Sequence, residues 1–327
     1  MTNTSPMVAK LGAAALFILL AASSAAAQDY PQRPVKLIVP FPAGGVADTV
    51  GRVVAQKLTS TWGQQAVIDN RTGAAGLVGV EVAAHAPADG YTLLLTTSDF
   101  VTVNPAAYPK LNYDPDKDFV PIAMLAKSPS VIVVNANAGI ANLKDLAAAA
   151  NAKPGEIAYS SPGAGTTNHL AAELLASDLK IKLLPVQYRG GAPAATAVAT
   201  GEATLGVVAI PTGKAHVEAG TVKVLGITTA DRASFVPDWP TIAEGGLPGF
   251  DLALWIVLYG PAGTPQPILK QLQSEVAVIL KDADVRTRFA GLGAEPAEMP
   301  YDAFVARMKS DRATLGDVIK RAGVRIE

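Results

Sequence analysis

Strand-like and helix-like patterns of apolar residues alternate along most of the chain. Val35 to Val39 is a run rich in strand-forming residues that stops at the turn Pro40-Phe41-Pro42-Ala43-Gly44-Gly45. Beyond it Val46, Val50, Val53, Val54 and Leu58 recur at helical spacing, which predicts an amphipathic helix. Ala66 to Ile68 reads as a second strand, Gly76 to His85 as a helix and Leu93 to Thr96 as a third strand. A β-α-β-α-β succession of this kind predicts an open, largely parallel sheet covered by helices.

The alternation then starts again. Ile132 to Val134, Ile157 to Ser160, Leu184 to Val186, Leu205 to Ala209 and Val222 to Thr228 read as strands. Leu143 to Ala150, a segment from about Thr166, and Ala194 to Ala199 read as helices, and three more close the chain at Ile268 to Leu280, Ala283 to Leu292 and Tyr301 to Ala322. Between the blocks there is no Ser- or Gly-rich linker. Instead Ile122 to Val134 and Asp251 to Tyr259 are apolar and strand-like, suited to crossing between two lobes. The expected organisation is a discontinuous first lobe, residues 28–126 plus 250–327, with a second lobe, residues 127–249, inserted into it.

Composition narrows the setting. Lys10 precedes the apolar run Leu11 to Ala22, and small residues follow, ending Ala25-Ala26-Ala27. A positive start, a short apolar core and an A-x-A site make up a secretory signal peptide, with cleavage expected after Ala27. The run is well short of the roughly 20 residues that cross a bilayer. About 300 residues remain after cleavage, enough for two domains. With no cysteine in the chain, disulfides, thiolate nucleophiles and cysteine-ligated metals are excluded together. The 27 basic and 28 acidic residues nearly cancel and form no basic block, which argues against nucleic acid as a partner. A bound anion would therefore depend on backbone dipoles.

Two glycine-rich turns offer such dipoles, each between a strand and a helix. They are VPFPAGGVAD, Val39 to Asp48, and SSPGAGTTNHL, Ser160 to Leu170. Glycine admits a ligand close to the backbone, and the following helix presents unpaired N–H groups at the positive end of its dipole. That combination binds anions without a charged side chain. One turn of this kind is ordinary connection chemistry. Two, one per expected lobe, suit a molecule held by a carboxylate at each end. Thr166 and Thr167 either cap the second helix or bind a ligand oxygen. Asp48 either stabilises the first helix or holds a ligand donor or water.

The usual enzyme signatures are missing. Gly73-Ala74-Ala75-Gly76 lacks dinucleotide-loop spacing, neither glycine turn has the Gly-Lys-Ser/Thr of a phosphate loop, and no G-x-S-x-G elbow is present. His169 and Glu173 stand at i, i+4, half of a metal site at most and more simply a helix-face contact. No catalytic group, metal or cofactor is expected.

The succession YPQRPVKLIVPFPAGG-x-x-D, DNRTGAAG and APADGYTLLLTTS resembles the opening of the solute receptors of tripartite tricarboxylate transporters, the Bug-type receptors. NYDPDKDFVPIAMLA, SSPGAGTTNHLAAELL, VQYRGGAPA, LGITTADR, WPTIAEGGLPGF and YGPAGTP continue the likeness in order, from Tyr30 nearly to the C-terminus. The resemblance implies an α/β, two-lobed periplasmic solute-binding fold of the type II kind that closes on a small carboxylate. It also implies delivery to a membrane transporter of one large and one small subunit, by a receptor expected as a monomer. Carried onto this chain, the implied ligand-binding residues of the first turn are Phe41, Ala43, Gly44, Gly45 and Asp48. Those of the second are Ser160, Ser161, Gly163, Ala164, Gly165, Thr166 and Thr167. Ser98 at a strand end joins them, as does Trp255, which either stacks on a ligand ring or belongs to the core.

The chain departs from the family pattern at Gly206-Val207-Val208-Ala209-Ile210, where relatives often carry a polar stretch. Read as core, the change is neutral drift. Read as a pocket wall, it disfavours an ammonium group and favours carboxylates with an apolar or aromatic body. Two further functions stay open on the sequence: a ligand-sensing module that signals to a membrane kinase, and an enzyme on the same fold.

Overall fold

A computed structural model describes residues 30–325. The expected signal peptide, residues 1–27, lies outside the described residues. A first unit ends at Gln32 and contributes to the description only residues 30–32, with a cis Tyr30–Pro31 peptide. All the elements below belong to the second unit, which begins at Arg33.

β1 (Val35–Val39) pairs in parallel with β2 (Ala66–Asn70) and β3 (Thr92–Thr97). Leu37, Ile38 and Val39 are within 1% of complete burial, and burying each such side chain stabilises the fold by roughly 1.5–3 kcal/mol. Helix α1 (Val46–Trp62) covers this part of the sheet with Val50, Val54 and Leu58. Gly51 allows its close approach, because a Cβ there would stand 3.0 Å from Leu95. The helix ends where Gly63 takes the left-handed conformation, φ 66°, and returns its N–H to the carbonyl of Thr59. Helix α2 (Leu77–Ala84) follows β2.

Two very short helices, α3 (Asp99–Thr102) and α4 (Asn104–Ala107), leave the end of β3. β4 (Phe119–Asn135) is then a single strand of 17 residues, most of them buried. Its first part pairs antiparallel with β9 (Ala253–Pro261), which also pairs antiparallel with β3. Its second part pairs antiparallel with β7 (Leu205–Ala209) and β8 (Val222–Ile227). Beyond β7 lie β5 (Ala158–Ser161) and β6 (Leu184–Gln187), both parallel. The strand order is β2-β1-β3-β9-β4-β7-β5-β6, with β10 (Glu295–Pro296) also on β4.

The parallel sheet expected from the alternation is therefore mixed. Helix-connected strands are parallel, as foreseen, but the two apolar crossing segments, β4 and β9, run against their neighbours. Periodicity reports which residues are buried and is silent on strand direction.

Helix α5 (Leu143–Ala152) is capped by Asn142, whose side chain accepts from the N–H groups of Lys144 and Asp145. It is followed by α6 (Thr167–Leu179), α7 (Gly191–Thr200), α8 (Ile210–Glu218), α9 (Gln266–Ile279), α10 (Ala283–Gly291) and α11 (Tyr301–Ala322). One cluster packs α5, α6 and the end of α11 against β4, β5 and β7. Another joins β3, β9 and the first part of β4 to the start of α11 through Phe100, Trp255, Tyr259 and Phe304.

Candidate functional site

The first glycine turn is held in place by Asp48. Its carboxylate, 1% exposed, accepts from the Gly44 N–H at 2.9 Å, from Arg52 Nε at 3.0 Å and Nη2 at 2.9 Å, and from Asn70 Nδ2 at 2.9 Å. Asn70 Nδ2 also donates to the carbonyl of Phe41 at 3.0 Å. Burial alone would raise the Asp48 pKa, but the bonds from Arg52, Gly44 and Asn70 together hold it below the usual carboxylate value. Of the two roles open to Asp48 on the sequence, this geometry serves the first, shaping the turn and the start of α1. Gly44 takes a φ of 89°, where an L side chain would be strained.

The second turn is built by its own threonine and a histidine. Thr166 caps α6, accepting from the His169 N–H at 3.2 Å while its hydroxyl donates to the Gly163 carbonyl at 2.8 Å. The Gly165 N–H, expected to face an anion, donates instead to His169 Nδ1 at 3.0 Å. That bond requires a neutral imidazole with an unprotonated Nδ1. Burial lowers the His169 pKa, outweighing the pull of Glu173 in the other direction. Half of the suspected metal pair is thus a structural part of this turn.

Between the turns lies a cleft of about 420 Å³. Phe41, Ala164, Gly165 and Thr166 line it, so the structure brings both glycine turns to one space, as expected from the sequence. Pro40 and Pro42 add to the first side and Ala75 and Gly76 to its floor. The carboxyl end of β3 supplies Thr96, Thr97 and Asp99, with Asn104 and Tyr108 behind them. Ligands of α/β sheets lie beyond such strand ends.

The other expected site residues do not line the cleft. Ala43, Gly44, Gly45 and Asp48 form the body of the first turn, and Gly163 the shoulder of the second. Ser160 and Ser161 are fully buried; the first donates to the Ala194 carbonyl at 2.8 Å and the second to Gln187 Oε1. Ser98 lies 3% exposed beneath the cleft and accepts from the Trp255 N–H at 3.4 Å. Trp255 is core, its Nε1 donating to Asp311 Oδ2 at 3.1 Å under the Arg307 guanidinium. Thr167 reaches from α6 to the opposite wall, where its hydroxyl donates to Asp99 Oδ1 at 2.8 Å.

Most of the apolar run suspected of forming a pocket wall lies in the core, and Ala209, exposed at the end of β7, is not among the residues that line the cleft. Val207, Val208 and Ile210 are at most 1% exposed, within the core clusters. Those three side chains therefore form no wall against an ammonium group.

Sequence reasoning missed the segment Thr72 to Gly76 and Asp99. The first carried a signal, since Gly73-Ala74-Ala75-Gly76 is dense in small residues. All four take positive φ, including Ala74 at 44° and Ala75 at 53°, a strain of roughly 1–3 kcal/mol per alanine that concentrates at functional sites. Asp99 had only its place at a strand end. Among the residues lining the cleft it is the one carboxyl group, and none is Lys, Arg or His. Burial pushes its pKa up to about 6, with the Thr167 hydroxyl pulling the other way.

Residues 50–324 match the sequence profile of the tripartite tricarboxylate transporter family receptor. The chain is 34% identical over 328 residues to the protein BugT of Bordetella pertussis, an alignment covering 98% of this chain and 97% of that one. A protein of R. palustris solved with adipate is 33% identical and superposes with a TM-score of 0.76, over 90% of this chain and 99% of its own. MatC from Rhodopseudomonas palustris, solved with bound malate, is 32% identical with a TM-score of 0.71, over 89% and 100%.

Proposed function

The chain belongs to the tripartite tricarboxylate transporter family of receptors, and we propose that it captures a small carboxylate in the cleft between its two glycine turns. The observation that carries this reading is the convergence of Phe41 and Ala164–Thr166, far apart in sequence, on one space at the end of β3. The adipate and malate held by two relatives support a ligand of dicarboxylate size.

Around that site we place two lobes, residues 28–126 plus 250–327 and residues 127–249, joined through β4. A ligand that touches both walls favours their closed arrangement by its differential affinity. The receptor works in the periplasm as a monomer, after loss of residues 1–27, and hands its cargo to a membrane transporter of one large and one small subunit. It is a carrier, as its receptor family implies: the cleft presents hydroxyls, an amide and one carboxyl, the last engaged by the Thr167 hydroxyl.

Thermal unfolding against a panel of mono-, di- and tricarboxylates tests the reading, since a ligand bound only by the folded state raises the melting temperature. At least one is expected to do so and to bind by calorimetry. Ala164→Phe, which fills the cleft from an exposed position, is expected to weaken that binding by at least about tenfold, or 1.4 kcal/mol, while leaving the melting temperature of the free protein unchanged. Undiminished affinity in this variant would remove the cleft from the proposal.

A further inference from the structure

The Asp99 carboxyl stands where a receptor for anions would be expected to place a donor or a cation. It lies at the start of α3, directly after β3, and faces the N-terminus of α6. Oδ1 is satisfied by Thr167. Among the described residues Thr167 is the one donor to this carboxyl, and no buried side-chain oxygen is left without a partner. Oδ2 therefore opens onto the cleft that Asp99 lines. A carboxylate oxygen accepts more than one hydrogen bond, and its strongest partners carry positive charge.

Charge decides what fits. The lining residues include no Lys, Arg or His. A plain dicarboxylate would bring two negative charges beside a third in a confined space, and like charges at that range repel strongly. An ammonium on the ligand reverses the contact and supplies the cation that the walls lack.

We propose that Asp99 is the specificity-determining residue of the cleft and selects a carboxylate that also bears an ammonium group, which donates to Oδ2. The inference rests on the carboxylate-receptor reading and names the class of ligand within it.

A proton signature follows. An ammonium beside Asp99 favours its ionised form, so binding releases a proton and tightens as pH rises through about 6. A second carboxylate beside Asp99 would take up a proton and weaken over the same range. The other titratable groups around Asp99 are held by other partners or by burial. Tyr108 and Tyr113 are both pushed up by burial. His169 is turned back to the Gly165 N–H, with Glu173 beyond it. Helix α11, packed on α3, turns Arg307 to Asp251 and Asp311, and Arg312 to Asp116.

The experiment is calorimetry on the purified protein with three pairs of equal chain length: succinate and aspartate, glutarate and glutamate, adipate and 2-aminoadipate. In the pair of fitting length, the amino member is expected to bind at least about tenfold tighter at neutral pH. Near pH 6, runs in two buffers of different ionisation heat should show proton release. Asp99→Asn keeps an acceptor for Thr167 and should reduce the preference to within about threefold. Asp99→Ser serves if that variant unfolds at a lower temperature than the parent. Tighter binding of the plain member, proton uptake, or a preference that survives both substitutions would overturn the proposal. So would binding of some other carboxylate with none from the six, which leaves the receptor reading standing; failure of every carboxylate ends both.

Discussion

At the scale of single residues, the two glycine turns owe their shape to side chains that a motif search would assign to a ligand. Asp48 spends its carboxylate on Gly44, Arg52 and Asn70, and His169 spends Nδ1 on the Gly165 amide. The histidine bond makes a pH prediction. The folded-state pKa of His169 is depressed below the ordinary imidazole value of 6.5. The stability it contributes is thus present above that value and is lost as pH falls below it, because the unfolded chain binds the proton first. Asp99 opposes this: its folded pKa is raised, so its share of stability is present in acid and is lost as pH rises through about 6. His169→Gln retains an acceptor and cannot titrate. Measured from about pH 7.5 down to 5.5, its melting temperature should fall less than that of the parent. Equal acid sensitivity in both proteins would show that the Gly165–His169 bond does not hold the turn.

At the scale of elements, glycines set how closely helices approach the site. In α2, a Cβ on Gly79 would stand 2.6 Å from the Arg71 carbonyl and 2.7 Å from Pro40 Cβ. Gly79→Ala would gain up to about 1 kcal/mol of helix propensity. Overpacking against backbone that cannot yield costs roughly 1–3 kcal/mol, so the clash wins. The variant should melt lower than the parent and bind ligand more weakly, since the clash pushes on the Pro40 turn; a gain in melting temperature would contradict this. The elements themselves were largely legible. The apolar repeats Val46 to Leu58 and Tyr301 to Ala322 became α1 and α11, and Leu205 to Ala209 became β7 with the same ends. The short helices α3 and α4 were not read, because four residues carry too little periodicity, and Asp99 went unnoticed with them.

At the scale of the whole molecule, β4 is the member that both parts of the sheet share, with β9 and β10 on its first part and β7 and β8 on its second. The pairing shifts register at Pro121/Ala123 and Met124/Ala126 against β9, and at Ile132/Val133 against β8. Irregularities of this kind bend and twist a strand. If the lobes close about β4, small-angle scattering should show a smaller radius of gyration at saturating ligand than without it. An unchanged radius would mean that the cleft binds without closing.

By itself the sequence determined the burial pattern, the succession of strands and helices and the presence of two turns fit to face an anion. Each of these is local, written in the spacing of apolar residues and in glycine's freedom at positive φ. Tertiary structure alone decided the rest. It ran β4 and β9 against their neighbours, placed Trp255 and Val207 in the core, and used the Gly44 and Gly165 amides within their own turns. It also set Thr167 against Asp99 across 68 positions of sequence. Whether a polar group serves the fold or a ligand depends on what lies within hydrogen-bond reach, and those neighbours come from distant segments that only the packed chain brings together.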